Sequence, residues 1–147
     1  MTLFETITRS AEAESPVWGA AVRSVPDLEP VFSPLVADSL ALGLETIYEA
    51  YLVHYGRPRL FEPPDADEAI LLGDYLYAHG LVRIAEAGGV RAVAAMADLI
   101  ARCAAERADG QPDDGAAWVD AARALGSSPD DGAVAHALAR HSARVAS

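Results

Sequence analysis

Cysteine is nearly absent from this 147-residue chain: Cys103 stands alone in an alanine-rich run, which excludes disulfide stapling and a thiolate metal site. Basic residues are scarce as well, 11 against 22 acidic ones, for a net charge of −11. That balance repels nucleic acid and anionic membranes, whose recognition rests on basic side chains neutralising phosphate. Although 52% of residues are hydrophobic, no uninterrupted apolar run approaches the ~18 residues of a membrane-spanning helix. Residues Met1 to Arg9 show no basic stretch ahead of an apolar core. No secretory leader is therefore expected, and a reducing cytoplasm is the simplest location. Strand signals are almost missing too. What remains reads as one all-α domain over 1–147, long enough to bury roughly two-thirds of its unfolded surface.

About seven helices are expected. Thr2 with Glu5 forms a capping box that opens a helix to about Ala13, and Ser15-Pro16 starts another. Three prolines make 24–34 a connector. Ser33-Pro34 then begins a long helix to about Tyr55, in which Val36, Leu40, Leu44, Ile47, Tyr51 and Tyr55 step by four and three to draw one apolar stripe. Pro58, Pro63 and Pro64 mark a second connector. Asp65 and Glu68 form another capping box ahead of a helix over 66–87 that is apolar nearly all round, the pattern of a central helix or a subunit interface. Gly88-Gly89 break it before a further helix over 90–108. A C-terminal helix pair follows over 111–147, where Pro-Asp-Asp-Gly-Ala occurs at 112–116 and again at 129–133. Proline and aspartate there suit the positive end of a helix dipole, so Asp113, Asp114, Asp130 and Asp131 read as caps rather than metal ligands.

Histidines are few and poorly spaced for metal binding. His136 and His141 are five apart, His54 and His79 fall on different helices, and no His-Glu-x-x-His pattern occurs. All four read as satisfied or exposed side chains. Asp74 lies among apolar neighbours, so a structural hydrogen bond or an ion pair, with Arg83 or an arginine on another helix, is expected. Arg57 and Arg59 are phosphate candidates in a proline-rich loop, where arginines are usually solvated.

Three segments carry a further signal: Leu52-Val53-His54 at a helix end, Gly56-Arg57-Pro58-Arg59 just after it, and Ala69-Ile70-Leu71-Leu72-Gly73-Asp74, with Gly73 following Gly56 by 17 residues. In order and spacing they resemble the all-trans polyprenyl diphosphate synthase family over about residues 36–108, with 34–108 as a synthase-like helical core. That family ends the first helix in Leu-Val-His-Asp-Asp, continues through an aspartate-rich turn to Gly-Lys-Pro-Thr, and resumes with Ala-Ile-Leu-Ala-Gly-Asp. Here only Tyr55 separates His54 from Gly56, so the turn bearing the first aspartate motif is missing. An alignment without the gap puts Tyr55, Gly56 and Arg59 where the three aspartates belong. The family's second aspartate motif lies further along than these residues reach, and the basic residues ahead of Gly-Lys-Pro are missing as well.

Ionising an allylic diphosphate needs Mg²⁺ held by clustered carboxylates against the departing pyrophosphate. The resemblance therefore implies a chain that is not an enzyme on its own. It is similar to the small non-catalytic subunit of a heteromeric synthase, a pseudoenzyme that stabilises the catalytic subunit or sets prenyl chain length. No cofactor is expected on this chain, Mg²⁺ residing on the partner, and pairing is expected through 66–87 and 90–108. Tyr48, Tyr51, Tyr55, Leu72, Tyr75 and Leu76 are the candidates for that interface or for a prenyl pocket, with core packing as the alternative for the tyrosines, Tyr77 among them. Competing readings are a stand-alone helical interaction protein, as a homodimer, and a small apolar-ligand carrier. A dry cavity lined by Tyr48, Tyr51, Leu72 and Tyr75 would mark the carrier.

Overall fold

A computed structural model describes residues 1–111 and 114–145. Its elements are α1 (Leu3–Glu14), α2 (Pro16–Ala20), a 3-10 turn (Ser33–Leu35), α3 (Asp38–Tyr55), α4 (Ala66–Ala108), α5 (Gly115–Ala124) and α6 (Asp131–Val145). No strand forms among the described residues beyond an isolated antiparallel bridge between Val22 and Phe61. The chain is all-α, as its periodicities require. No described helix is long and apolar enough to cross a membrane.

Local signals set most boundaries. Thr2 Oγ1 accepts from Glu5 N at 3.1 Å to start α1, and Ser15 Oγ accepts from Val17 N at 3.1 Å to start α2. Asp65 Oδ1 accepts from Glu68 N at 2.8 Å to start α4. The expected break at Gly88-Gly89 is a kink within α4. Gly89 sits at φ 73°, ψ −165°, a left-handed conformation that favours glycine. Counting the limbs on either side of it separately gives seven helices.

Two expectations are corrected. The helix expected from Ser33-Pro34 begins only at Asp38, because Glu45 Oε1 accepts from Val31 N at 3.1 Å and Ser33 N at 3.2 Å. In one continuous helix, residues 33 and 45 would stand about 18 Å apart. The chain must therefore fold back along α3, reversing at Val36 and Ala37, before the helix starts.

The second correction concerns the centre of the bundle. It is α3, buried almost without interruption from Gly43 to Leu52, whereas the first limb of α4 leaves Ile70, Leu71 and Val82 exposed. The pairing of these two helices depends on glycine. A Cβ on Gly80 would stand 2.5 Å from Ile47 Cγ1 and 3.2 Å from the Ile47 backbone nitrogen. Two apolar cores flank α3. One joins Phe32, Tyr48, Tyr51, Met96 and Trp118; the other joins Phe4, Ile7, Phe61, Leu72 and Leu76.

Burying α3 on all sides takes Glu45 and Glu49 out of water, and Arg59 goes with them; all three are fully buried. Arg59 reaches Glu45 Oε2 at 2.6 Å and Glu49 Oε1 at 3.1 Å, and donates to the Glu29 carbonyl at 2.7 Å. Its guanidinium lies over the rings of Phe4 and Tyr48, 5.2 and 5.1 Å from their centroids. Burial would lower its pKa, but the two glutamates outweigh that and raise it. Replacing Arg59 by leucine leaves two carboxylates buried without their cation. The expected loss is about 3–5 kcal/mol in the urea-unfolding free energy, with Arg59→Lys losing less. A leucine variant as stable as the parent would refute this.

Candidate functional site

Tyr48, Tyr51 and Tyr55 follow one another by three and four residues, so they share one face at the C-terminal end of α3. That face meets the other end of the chain. Tyr48 Oη lies 2.8 Å from His141 Nδ1, and His141 Nε2 lies 3.0 Å from Asp114 Oδ1. Tyr51 O–H donates to the same carboxylate oxygen at 2.5 Å. Arg107 Nη2 donates to Tyr51 Oη, its Nε stands 3.5 Å from Asp114 Oδ2, and its guanidinium lies 5.6 Å from the ring centroids of both Tyr51 and Tyr55. Trp118 closes the face, edge-on to Tyr48 at 4.9 Å and stacked on Phe32 at 5.4 Å.

The partners assign the protons. An ionised Asp114 only accepts, so His141 Nε2 carries hydrogen towards it. Burial pushes the pKa of Tyr48 and of Tyr51 up, so both keep their protons. For Asp114, burial acts to raise the pKa. The hydrogen bonds from His141 and Tyr51, with the charge of Arg107, outweigh it and hold the carboxyl below its usual value. Burial also pushes the Cys103 thiol up, so it is a poor nucleophile. The order Tyr–His–Asp matches a proton relay in form. With Tyr48, His141 and Asp114 all buried and the phenols held neutral, its effect is to clamp α3, α4, α5 and α6 together.

Beside this clamp, nearer the surface, two of the sequence segments touch. His54 Nε2 stands 3.4 Å from Asp74 Oδ1, and the His54 ring stacks on Tyr77 with centroids 5.2 Å apart. Gly73 permits the approach, since a Cβ there would lie 2.4 Å from His54 Nε2. A structural hydrogen bond or ion pair is expected for Asp74 among apolar neighbours, with Arg83 or another arginine; the contact is with His54 instead, and the Asp74 side chain is 68% exposed rather than buried. Leu72, Gly73, Leu76 and Gly80 point inward, and at ~100° per residue position 74 falls on the far side of the helix. Arg83 instead donates to Thr46 Oγ1 at 2.9 Å and Ser10 Oγ at 2.8 Å.

The other candidates divide. Tyr48 and Tyr51 lie in the first core, Leu72 and Leu76 in the second. Tyr75 is half-buried against Trp18, and Tyr55 is partly exposed. These six do not form one wall. Arg59, expected to be solvated, is fully buried with Glu45 and Glu49, as described above. Arg57 is exposed and donates through Nη2 to the Ala143 carbonyl. Both arginines line a cleft of about 380 Å³ with Arg23, Arg144, Asp27 and Glu29. Asp27 pairs with Arg144 there, and Glu29 with Arg140.

His136 is exposed and His79 half-buried, its pKa lowered by burial and by Arg83. Of the aspartates read as caps, Asp130 Oδ1 accepts from Ala133 N at 2.8 Å. Asp114 makes no side-chain cap and belongs to the clamp. Asp113 lies outside the described residues, as does Pro112. Among the described residues, no three His, Cys, Asp or Glu side chains converge as a metal site. No family model matches this chain, and neither a curated protein nor a solved structure matches it.

Glu45, Glu49 and Arg107 escaped the sequence reading; Asp114, read as a cap, and His141, read as a satisfied or exposed histidine, were not joined to each other there. A carboxylate pair four apart inside an otherwise apolar helix was the one signal present, for Glu45 and Glu49. Asp114→Asn removes the charged acceptor of the clamp. The expected loss is about 2 kcal/mol of unfolding free energy at neutral pH. Because the folded pKa is depressed, the parent's advantage is complete above the unfolded carboxyl value of ~3.9 and shrinks as pH falls below it. Urea titrations at neutral and acid pH measure that gap; a gap that stays constant with pH contradicts the assignment.

Proposed function

We propose that this chain is a catalytically silent, synthase-like subunit that docks on a catalytic polyprenyl diphosphate synthase and stabilises it or sets its product length. The observation that carries the reading is the contact of His54 with Gly73 and Asp74. Two of the three segments that resemble the synthase family, 52–54 and 69–74, meet beside the point where the aspartate-rich turn is lacking. The filling of the adjacent face supports the same reading. Trp118 and His141 pack on Tyr48 and Tyr51, so the side of α3 next to the missing turn is covered by the chain's own C-terminal helices. Mg²⁺ and diphosphate chemistry then belong to the partner.

A carrier reading finds less support, because Tyr48 and Tyr51 pack in a different core from Leu72. The reading as a docking subunit gains from the exposed Ile70, Leu71 and Val82 on α4, in one of the two segments through which the resemblance implies pairing. Purified and supplied with an allylic diphosphate, isopentenyl diphosphate and Mg²⁺, the chain is expected to form no product. Titrated into a full-length synthase from the same cell, it is expected to change rate or product length in a saturable way. Condensation by the chain alone, or a synthase indifferent to it, refutes the proposal.

A further inference from the structure

The outward face of the first limb of α4 has a definite pattern. Leu71, Ala78, Val82 and Ala85 are exposed and follow one another by seven, four and three residues. At ~100° per residue they form one narrow stripe about 21 Å long. Leu71 is 59% exposed and Val82 54%, and Ile70 extends the patch on one side at 53%. Alanines at two of the four stripe positions let another helix approach closely. The exposed charged residues of this limb are Asp67, Asp74 and Glu86, all acidic. Asp74 flanks the stripe on one side and Glu86 on the other, and Asp67 lies one turn before Leu71 at its N-terminal end. Arg83, the cation of the limb, is half-buried and turned inward to Thr46 and Ser10.

A rim of one sign chooses among partners. In an antiparallel pair of two copies that sets each Leu71 against the other's Val82, Asp67 faces Glu86. A parallel pair sets each carboxylate against its own copy. Both arrangements place like charges at the edge of the contact, which acts against association. We infer that this stripe receives an apolar helix flanked by arginine or lysine from a different protein, and that it discriminates against a second copy of this chain. The inference deepens the docking reading above by assigning the partner's chemistry.

Two synthetic helical peptides test it. They share one leucine–alanine stripe, and one is flanked by lysine and arginine, the other by glutamate. Fluorescence anisotropy is expected to show the basic-flanked peptide binding the full-length chain about tenfold tighter at low salt, with the preference fading as salt rises. Leu71→Asp with Val82→Asp, both at exposed positions, is expected to abolish binding with an unchanged circular dichroism spectrum. Asp67→Lys, Asp74→Lys and Glu86→Lys together are expected to invert the preference. The chain alone is expected to sediment as a monomer.

Binding of neither peptide, equal binding of both, or a dimer that Leu71→Asp dissociates overturns the inference. The synthase titration separates it from the broader reading. A synthase that responds equally to the parent and to both sets of variants sinks the inference alone. A peptide preference with no responding synthase sinks the synthase assignment alone.

Discussion

The fold depends on a buried ionic cluster with more acid than base. Glu45 and Glu49 stand one turn apart on α3, and Arg59 lies against both. One guanidinium cannot neutralise two carboxylates, and desolvating ions costs several kcal/mol each. Backbone amides supply the remainder. Glu45 Oε1 takes the N–H groups of Val31 and Ser33, and the Glu49 carboxylate takes those of Arg59 and Leu60. Each glutamate thereby pins one connector to the central helix. The 24–34 connector and the 56–65 connector, which carry no helix of their own at these points, acquire fixed registers along α3. They also meet each other, with Arg23 N donating to the Leu60 carbonyl and Glu62 N to the Ala21 carbonyl. The buried side chains of Phe32, Leu60 and Phe61 then anchor the same two segments in the cores.

That arrangement explains which parts of the chain were legible. Caps are local, so Thr2, Ser15 and Asp65 mark their helices from neighbouring residues alone. The kink at Gly89 is local too, because only glycine adopts its left-handed φ easily. The start of α3 was misplaced because it answers to a hydrogen bond twelve residues away, which no window of periodicity contains. Glu45 and Glu49 lie off the stripe formed by positions 36, 40, 44, 47, 51 and 55, where periodicity gives no sign of burial. Their burial depends on an arginine beyond the helix, in a loop where arginine is usually wet. Asp74 erred the other way: apolar neighbours in sequence suggested burial, yet a helix turns each neighbour to a different side.

The clamp at the end of α3 was the least visible element. Its members, Tyr48, Tyr51, Arg107, Asp114 and His141, span 93 positions of the chain between first and last, and none sits in a recognisable spacing. Its consequence is nonetheless large. Trp118 and the clamp attach α5 and α6 to the face of α3 that ends beside the short link from His54 to Gly56. Aromatic rings occupy that face, and α5 and α6 belong to the core.

Carboxylates in this chain thus divide into two kinds of use. The buried ones are held by fixed partners: Glu45 and Glu49 by amides and a guanidinium, Asp114 through Oδ1 by phenol and imidazole with Arg107 3.5 Å from Oδ2. A side chain held in that way orders the backbone around it and has little capacity left for a soluble ion. The exposed ones on the first limb of α4, Asp67, Asp74 and Glu86, lie at intervals of seven and twelve residues along an apolar stripe. At that spacing they are too far apart to share one cation, but they give the edge of that stripe a single sign. A surplus of acid that would trouble a nucleic-acid binder costs such a protein nothing. Under the docking reading proposed above, like charges along the stripe oppose the pairing of two copies and favour a partner of the opposite charge.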